Sequence, residues 1–307
     1  MQLPTAIVMV RPASFGFNPE TAATILFQRE PTETSRRDIE RRARIEFDML
    51  AGRLREAGVE IILVEDMEEL HTPDAVFPNN WVSFHHDGTV VLYPMLAPSR
   101  RPERRRDIIE KLEAGGFHVS RIADLTDHEN NGRFLEGTGS VVFDHVSRRA
   151  YAAISPRTNP QVLKELSNLL GYEPVTFRAV QQSGQAILHT DMMVSIGDRF
   201  VLFSGDCIAD TNERKLVLES LNGTGREIIS IDHEQVAHFA GNVLQLQTQN
   251  GGRVLAISTA AWLVFRPDQR DVIQRYARIV ESPLPLFERI GGGSARCMMA
   301  EVHLPRK

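Results

Sequence analysis

The nine residues RCMMAEVHL (296–304) open on an arginine and a cysteine, pass two methionines and end as an alternating strand. Four earlier stretches are built alike: FPNNWVSF (77–84), FLEGTGSVVF (134–143), LHTDMMVSI (188–196) and FAGNVLQL (239–246). The five starts step by 57, 54, 51 and 57 residues. A turn signal follows each of the four (HDG, DHVSR, GDR or NGG), and then a second apolar strand: TVVLYPM, RAYAAIS, RFVLFSG or RVLAIST. Strand, tight turn, strand is the pattern of a hairpin. RCMMAEVHL has no such partner after it. TAIVMVRP (5–12), near the other end of the chain, has the missing pattern. The last hairpin is therefore expected to form between the two ends, closing the chain into a ring.

Between hairpins the pattern runs helix, then strand. Helices are expected over roughly 34–57, 101–114, 160–171, 211–221 and 267–280, followed by the strands VEIILV, FHVSRI, EPVTFRAV, REIISI and PLPLFERI. Each unit of about 55 residues is too small to bury its own sheet, but five around an axis can do so. The fold class expected is α/β: a five-module α/β propeller of pseudo-five-fold ββαβ repeats, one domain over residues 1–307. The competing reading is a two-domain α/β protein with accidental internal likeness.

Of the 307 residues, 42% are hydrophobic and 24% charged, and the formal charge is −5. That balance gives no electrostatic reason to expect nucleic acid or an anionic membrane as partner. The basic run SRRPERRR (99–106) is expected on the solvated face of a helix. No apolar stretch approaches the ~18 residues of a membrane span, and the first residues read as a strand, not a signal peptide. Two cysteines, Cys207 and Cys297, make no disulfide framework, which fits a reducing cytoplasm.

The ring makes a geometric prediction. The starts of the five similar strands should converge at one end of the axis, bringing together Asn79 and Asn80, Glu136, His189 with Asp191, Gly241 with Asn242, and Cys297. A thiol, an imidazole and carboxylates in one pocket can do nucleophilic chemistry. Taken singly, each has an ordinary structural account: a buried inert cysteine, a core histidine, a turn-capping acid. Their common phase in the repeat is what singles them out. Cys207 follows a second strand and is expected to be structural. No metal is expected, since no close Cys/His pair occurs; His85 and His86 belong to a hairpin turn and are expected at the surface. GGGSARC (291–297) lacks the lysine and context of a phosphate loop. Arg296 is expected to point away from Cys297, on the opposite face of the strand. The stretch 12–31 is long for a connection and reads as either a lid or a packed helix at 19–27.

PDAVFPNNW (73–81), APSRR (97–101), FLEG (134–137), SPRTN (155–159), LHTD (188–191) and GGGSARC (291–297) carry a resemblance over nearly the whole chain. The sequence resembles the guanidine-modifying enzymes, or penteins, which include arginine and agmatine deiminases, dimethylarginine dimethylaminohydrolases and arginine:glycine amidinotransferases. It looks most similar to the citrulline-hydrolysing bacterial relatives of the dimethylarginine branch. The resemblance implies Cys297 as nucleophile, His189 as general acid/base and Glu136 beside the substrate. It implies Asp191 as a second acid, Asp74 as a substrate-binding aspartate, and Arg100 and Arg157 as arginines that grip an α-carboxylate. It implies no cofactor, a small amino-acid substrate, and leaves room for a homodimer. Where the family usually has a charged residue and an aspartate, this chain has Asn79 and Asn80. An amide offers both a donor and an acceptor, so the change favours a neutral ureido group, citrulline, over arginine or methylarginine. Two other readings stay open: amidino transfer to an amine, and a five-bladed binding protein without chemistry.

Overall fold

Alternating apolar residues, tight turns and amphipathic crossovers organise the chain into strand trios. The computed structural model describes residues 1–22, 28–31 and 35–307. The strands are β1 (Ala6–Arg11), β2 (Glu60–Glu65), β3 (Val82–Phe84), β4 (Thr89–Leu92), β5 (Arg121–Asp124), β6 (Val142–Asp144), β7 (Arg149–Ala153) and β8 (Glu173–Phe177), then β9 (Val194–Ile196), β10 (Phe200–Phe203), β11 (Glu227–Ser230), β12 (Leu244–Gln247), β13 (Arg253–Ser258), β14 (Arg278–Ser282) and β15 (Ala300–Val302). The crossovers carry helices α1 (Arg36–Glu56), α2 (Arg106–Ala114), α3 (Pro160–Leu170), α4 (Thr211–Asn222) and α5 (Pro267–Tyr276).

In each of four trios a short first strand turns back antiparallel onto a second, which pairs in parallel with a third across its helix: β3-β4-β5, β6-β7-β8, β9-β10-β11 and β12-β13-β14. The remaining trio joins the chain ends. β1 runs antiparallel to β15, with Ala6 opposite Val302 and Val8 opposite Ala300, and parallel to β2. Through Val302 opposite Phe84, β15 also pairs with β3, so one sheet has six strands in the order β2-β1-β15-β3-β4-β5. The other three trios are separate sheets, and the described strands close no continuous barrel. β6 packs beside β9, and β9 beside β12.

The helices are set by local chemistry. In α1 the inward residues Ile39, Ala43, Phe47, Leu50 and Leu54 recur at helical spacing and pack on Leu244, Leu246, Val254 and Val280. Asn159 caps α3 by accepting from the Gln161 and Val162 amides, with Pro160 in the first turn. Asp210 caps α4 in the same way through Asn212 and Glu213.

Several expectations are corrected. PLPLFERI is not the last crossover strand: β14 is Arg278–Ser282, and Phe287–Gly291 forms a π-helical turn. Pro283 and Pro285 have no N–H to give a ladder, while Ile279 and Val280 suit a strand. FHVSRI pairs with β4 only from Arg121, because His118 N–H already donates to the Pro305 carbonyl. The basic run is not one helix face. Pro102 lies in a 3-10 turn over Pro98–Glu103, α2 begins only at Arg106, and Arg100 is buried. His85 is buried rather than at the surface, and only His86 is exposed. Of the stretch 12–31, residues 18–21 lie against Asp74: Asn18 and Thr21 donate to its carboxylate at 2.7 and 3.3 Å. The expected helix at 19–27 covers Pro19–Ala22 in the structure, and residues 23–27 of it lie outside the described residues.

Candidate active site

The inner strands are preceded by tight turns, not by extended chain. Pro78–Asn80, Thr190–Met192 and Ala295–Met298 are 3-10 turns, and Gly137–Ser140 is a single helical turn. The turn at 78–80 packs against both the 137–140 and the 295–298 turns, and the 137–140 turn packs against 190–192. Side chains from sequence-distant segments thereby face one another.

Two linked clusters result, with a third beside them. In the first, a single oxygen of Glu136 accepts from His189 Nε2 at 2.8 Å and from Arg157 Nη1 at 2.7 Å, while its other oxygen accepts from the Leu96 amide at 3.1 Å. In the second, Cys297 Sγ lies 3.7 Å from Asp191 Oδ2, and Asn79 Nδ2 donates to that same oxygen at 3.2 Å. Asn242 closes on the cysteine with its Nδ2 3.2 Å from Sγ. Beside both, Arg100 donates to Asn80 Oδ1 at 2.8 Å and to both oxygens of Glu103 at 2.9 Å. Because a guanidinium only donates, it fixes the Asn80 amide with its oxygen toward Arg100 and its NH2 away.

Burial dominates the electrostatics. It acts to raise Glu136, but the charges of Arg157 and His189 outweigh it and hold the carboxylate well below the usual range. Burial pushes Asp191 up against the opposing charges of Arg296 and His189. Burial and then Asp191 push the Cys297 thiol far up; Asn242 and Arg296 act in the other direction. Burial opposes the Arg100 charge, yet Glu103 and Asp74 keep it protonated, while burial raises Glu103 to about 7.

Cys297, Asp191 and Asn79 thus share one cluster, Glu136, His189 and Arg157 another, and Asp74, Arg100 and Asn80 the third. All are buried except His189, whose side chain is 12% exposed. Arg296 is buried and pairs with Glu301 at 3.0 Å, and its charge still acts on Cys297. The glycines before Cys297 are close-packed: a side chain at Gly293 would press on Phe77 and on the Cys297 Cβ. Cys207 is buried, takes a hydrogen bond from Ser204 at 3.2 Å and is pushed up to about 11, chiefly by burial. Sequence reading missed Glu103; its signal was the i, i+3 spacing from Arg100 in a short turn. Among the described residues, no group of three or more His, Cys, Asp or Glu side chains is placed to hold a metal ion, and no helix is long and apolar enough to cross a membrane.

Solved structures share this fold. The N-terminal domain of ArgZ, an arginine dihydrolase from the ornithine–ammonia cycle in Cyanobacteria, in a Cys-to-Ser variant bound to substrate, superposes with a TM-score of 0.72 at 19% identity, covering 97% of both chains. The apo structure of ArgZ gives 0.73 at 20% identity, and there the match covers 98% of this chain but 41% of that one. A His-to-Gly variant of dimethylarginine dimethylaminohydrolase, as an adduct with S-methyl-L-thiocitrulline, gives 0.65 at 17% identity over 97% and 99% of the two chains. No curated protein matches the sequence directly. The family model described as N,N dimethylarginine dimethylhydrolase, eukaryotic, matches residues 11–304. The chain therefore belongs to the N,N-dimethylarginine dimethylhydrolase family of the pentein superfamily, hydrolases of carbon–nitrogen bonds in amidino compounds.

Proposed function

We propose that this chain is a cysteine-dependent hydrolase of a ureido amino acid, citrulline foremost, working within one propeller domain of five modules. One observation carries the substrate reading. Across the linked clusters around Cys297, His189 and Arg100, Asn79 Oδ1, Asn80 Nδ2 and Asp191 Oδ1 are buried and have no protein partner among the described residues. That set offers two acceptors and one donor. A ureido group presents N–H donors and one carbonyl acceptor and matches it; a guanidinium, with donors alone, leaves the Asn80 N–H unmatched.

Cys297, ionised in the presence of substrate, attacks the ureido carbon. His189 protonates the departing nitrogen, which leaves as ammonia, and a thiocarbamate links Cys297 to the ornithine nitrogen. Water, deprotonated by His189, attacks the same carbon and displaces the thiolate. The resulting carbamate of ornithine loses carbon dioxide. Glu136 keeps the imidazole oriented through Nε2, and Asp191 with Asn79 holds substrate nitrogens. Asp74, whose Oδ1 is also buried without a protein partner among the described residues, suits the α-ammonium. The carboxylates of Asp191 and Glu136 favour the second reading, a guanidino substrate such as arginine or dimethylarginine. Ammonia or amine release measured over citrulline, arginine, dimethylarginine and agmatine separates the two. Citrulline turnover that vanishes in Cys297→Ser is the expected result; a clear preference for arginine refutes the ureido reading.

A further inference from the structure

The fourth repeat start, FAGN (239–242), reaches the site yet has no part in the chemistry above. Its backbone is tightly built. Phe239 sits at φ 63 and accepts the Asn242 amide at 2.9 Å, and a side chain at Gly241 would overlap the Met192 carbonyl. This places Asn242, which is fully buried, directly on the nucleophile. Its Oδ1 lies 3.4 Å from the Cys297 backbone nitrogen and its Nδ2 3.2 Å from Cys297 Sγ. A backbone N–H can only donate, so it fixes which amide atom is the oxygen; the sulfur lies 3.4 Å from that oxygen and 3.2 Å from Nδ2, so the neutral thiol donates to the first and the thiolate accepts from the second. The Asn242 carbonyl also accepts the Arg296 amide at 3.4 Å, tying the two segments together.

We propose that Asn242 is a catalytic residue: its amide N–H holds the ionised sulfur of Cys297, and its amide oxygen holds the Cys297 backbone so that the sulfur stays on that donor. The inference rests on Cys297 being the nucleophile, but not on which substrate is used. The surroundings explain the need for it. A carboxylate 3.7 Å from a fully buried sulfur disfavours the thiolate. Among the described residues, no other side-chain N–H lies within hydrogen-bond reach of Cys297 Sγ.

The test is the pH profile of iodoacetamide alkylation, with the labelled cysteine located by mass spectrometry, for the wild type, Asn242→Ala and Asn242→Asp. The aspartate variant keeps an acceptor for the Cys297 backbone and removes the donor to sulfur. The label is expected on Cys297, with the profile of both variants moved to higher pH by about one unit, so that alkylation at neutral pH slows about tenfold. Turnover should fall through kcat with little change in KM. A merely structural asparagine would not move the thiol's profile in folded Asn242→Ala, which decides the matter; Asn242→Asp also sets a second carboxylate beside the sulfur, so there only an unmoved profile is informative. A wild-type profile in Asn242→Ala, or in Asn242→Asp should the alanine variant not fold, overturns the proposal. Label on Cys207 instead of Cys297 overturns the nucleophile reading beneath it.

Discussion

His189 and Arg157 share one oxygen of Glu136, at 2.8 and 2.7 Å, inside a cluster where Glu136 and Arg157 are wholly buried. The imidazole is thereby tied through Nε2, which leaves Nδ1 as the nitrogen free for proton transfer. Glu136→Gln keeps the shape but removes the negative charge beside the imidazole. We expect kcat to fall by roughly 10²–10⁴, the range of a positioned acid/base, with the fold retained by circular dichroism. Wild-type kcat in that variant sinks the role of the pair.

Gly139 is expected to be intolerant of any side chain. A methyl there would overlap Asn80 Nδ2 and lie 3.2 Å from His189 Nδ1. Gly139→Ala should therefore displace two site groups at once and abolish most turnover. Its stability cost should stay near the ~1–3 kcal/mol of local overpacking. Denaturant midpoints and kcat, measured on one preparation, give both quantities; normal turnover would mean that Asn80 and His189 do not act from these positions.

Much of the hairpin plan was legible because period-two alternation and turn chemistry are local signals. The pairing of β1 with β15 followed from a strand pattern at residues 296–304 with none after it. Common phase in the repeat likewise put Cys297, His189, Glu136 and Asn242 at one place. What escaped was set by tertiary neighbours. Whether Arg100 reaches a ligand or folds back on Glu103 depends on a 3-10 turn around Pro102, which no periodicity reports. PLPLFERI has apolar residues spaced like a strand, and only its two prolines argue against a ladder. The surroundings of His85 depend on the meeting of β3, β6 and β15, three segments far apart in sequence.

Arg100 was expected to grip a substrate carboxylate, but in the structure its donors go to Glu103, Asn80 and the carbonyls of Asp74 and Phe77. Removing it leaves Glu103 buried without its counter-charge. Arg100→Ala is expected to destabilise the fold by about 3–5 kcal/mol, the usual cost of breaking a buried pair from one side. Urea unfolding measures this. A direct carboxylate grip predicts the opposite pattern, a raised KM with an unchanged midpoint.

At the far ends of β3, β6 and β15 the rings of His86, His145 and His303 lie 4.1–5.5 Å apart by centroid. His145 Nδ1 meets the Tyr172 hydroxyl at 2.7 Å, and His85 meets Ser83 at 2.7 Å. Both ring nitrogens of His303 are buried without a protein partner among the described residues. Burial, aided by the neighbouring histidines, holds His303 and His145 well below the ordinary histidine range, and His85 down to about 3; the N-terminal ammonium, Arg121, Arg148, Arg296 and Asp87 are other charges bearing on the group. The sign follows directly. Below the unfolded-state pKa of ~6.5 the unfolded chain binds protons that the folded cluster refuses, so stability falls as pH falls. His303→Phe removes one of these sites while keeping a flat ring at the seam between the chain ends. It should lower the acid dependence of stability by about 1.4 kcal/mol per pH unit below pH ~6.5, down to the folded-state pKa, with little change at pH ~8. Thermal melts across this range give the slope. Equal slopes for wild type and variant would mean that His303 binds its proton as readily in the folded protein as in the unfolded chain.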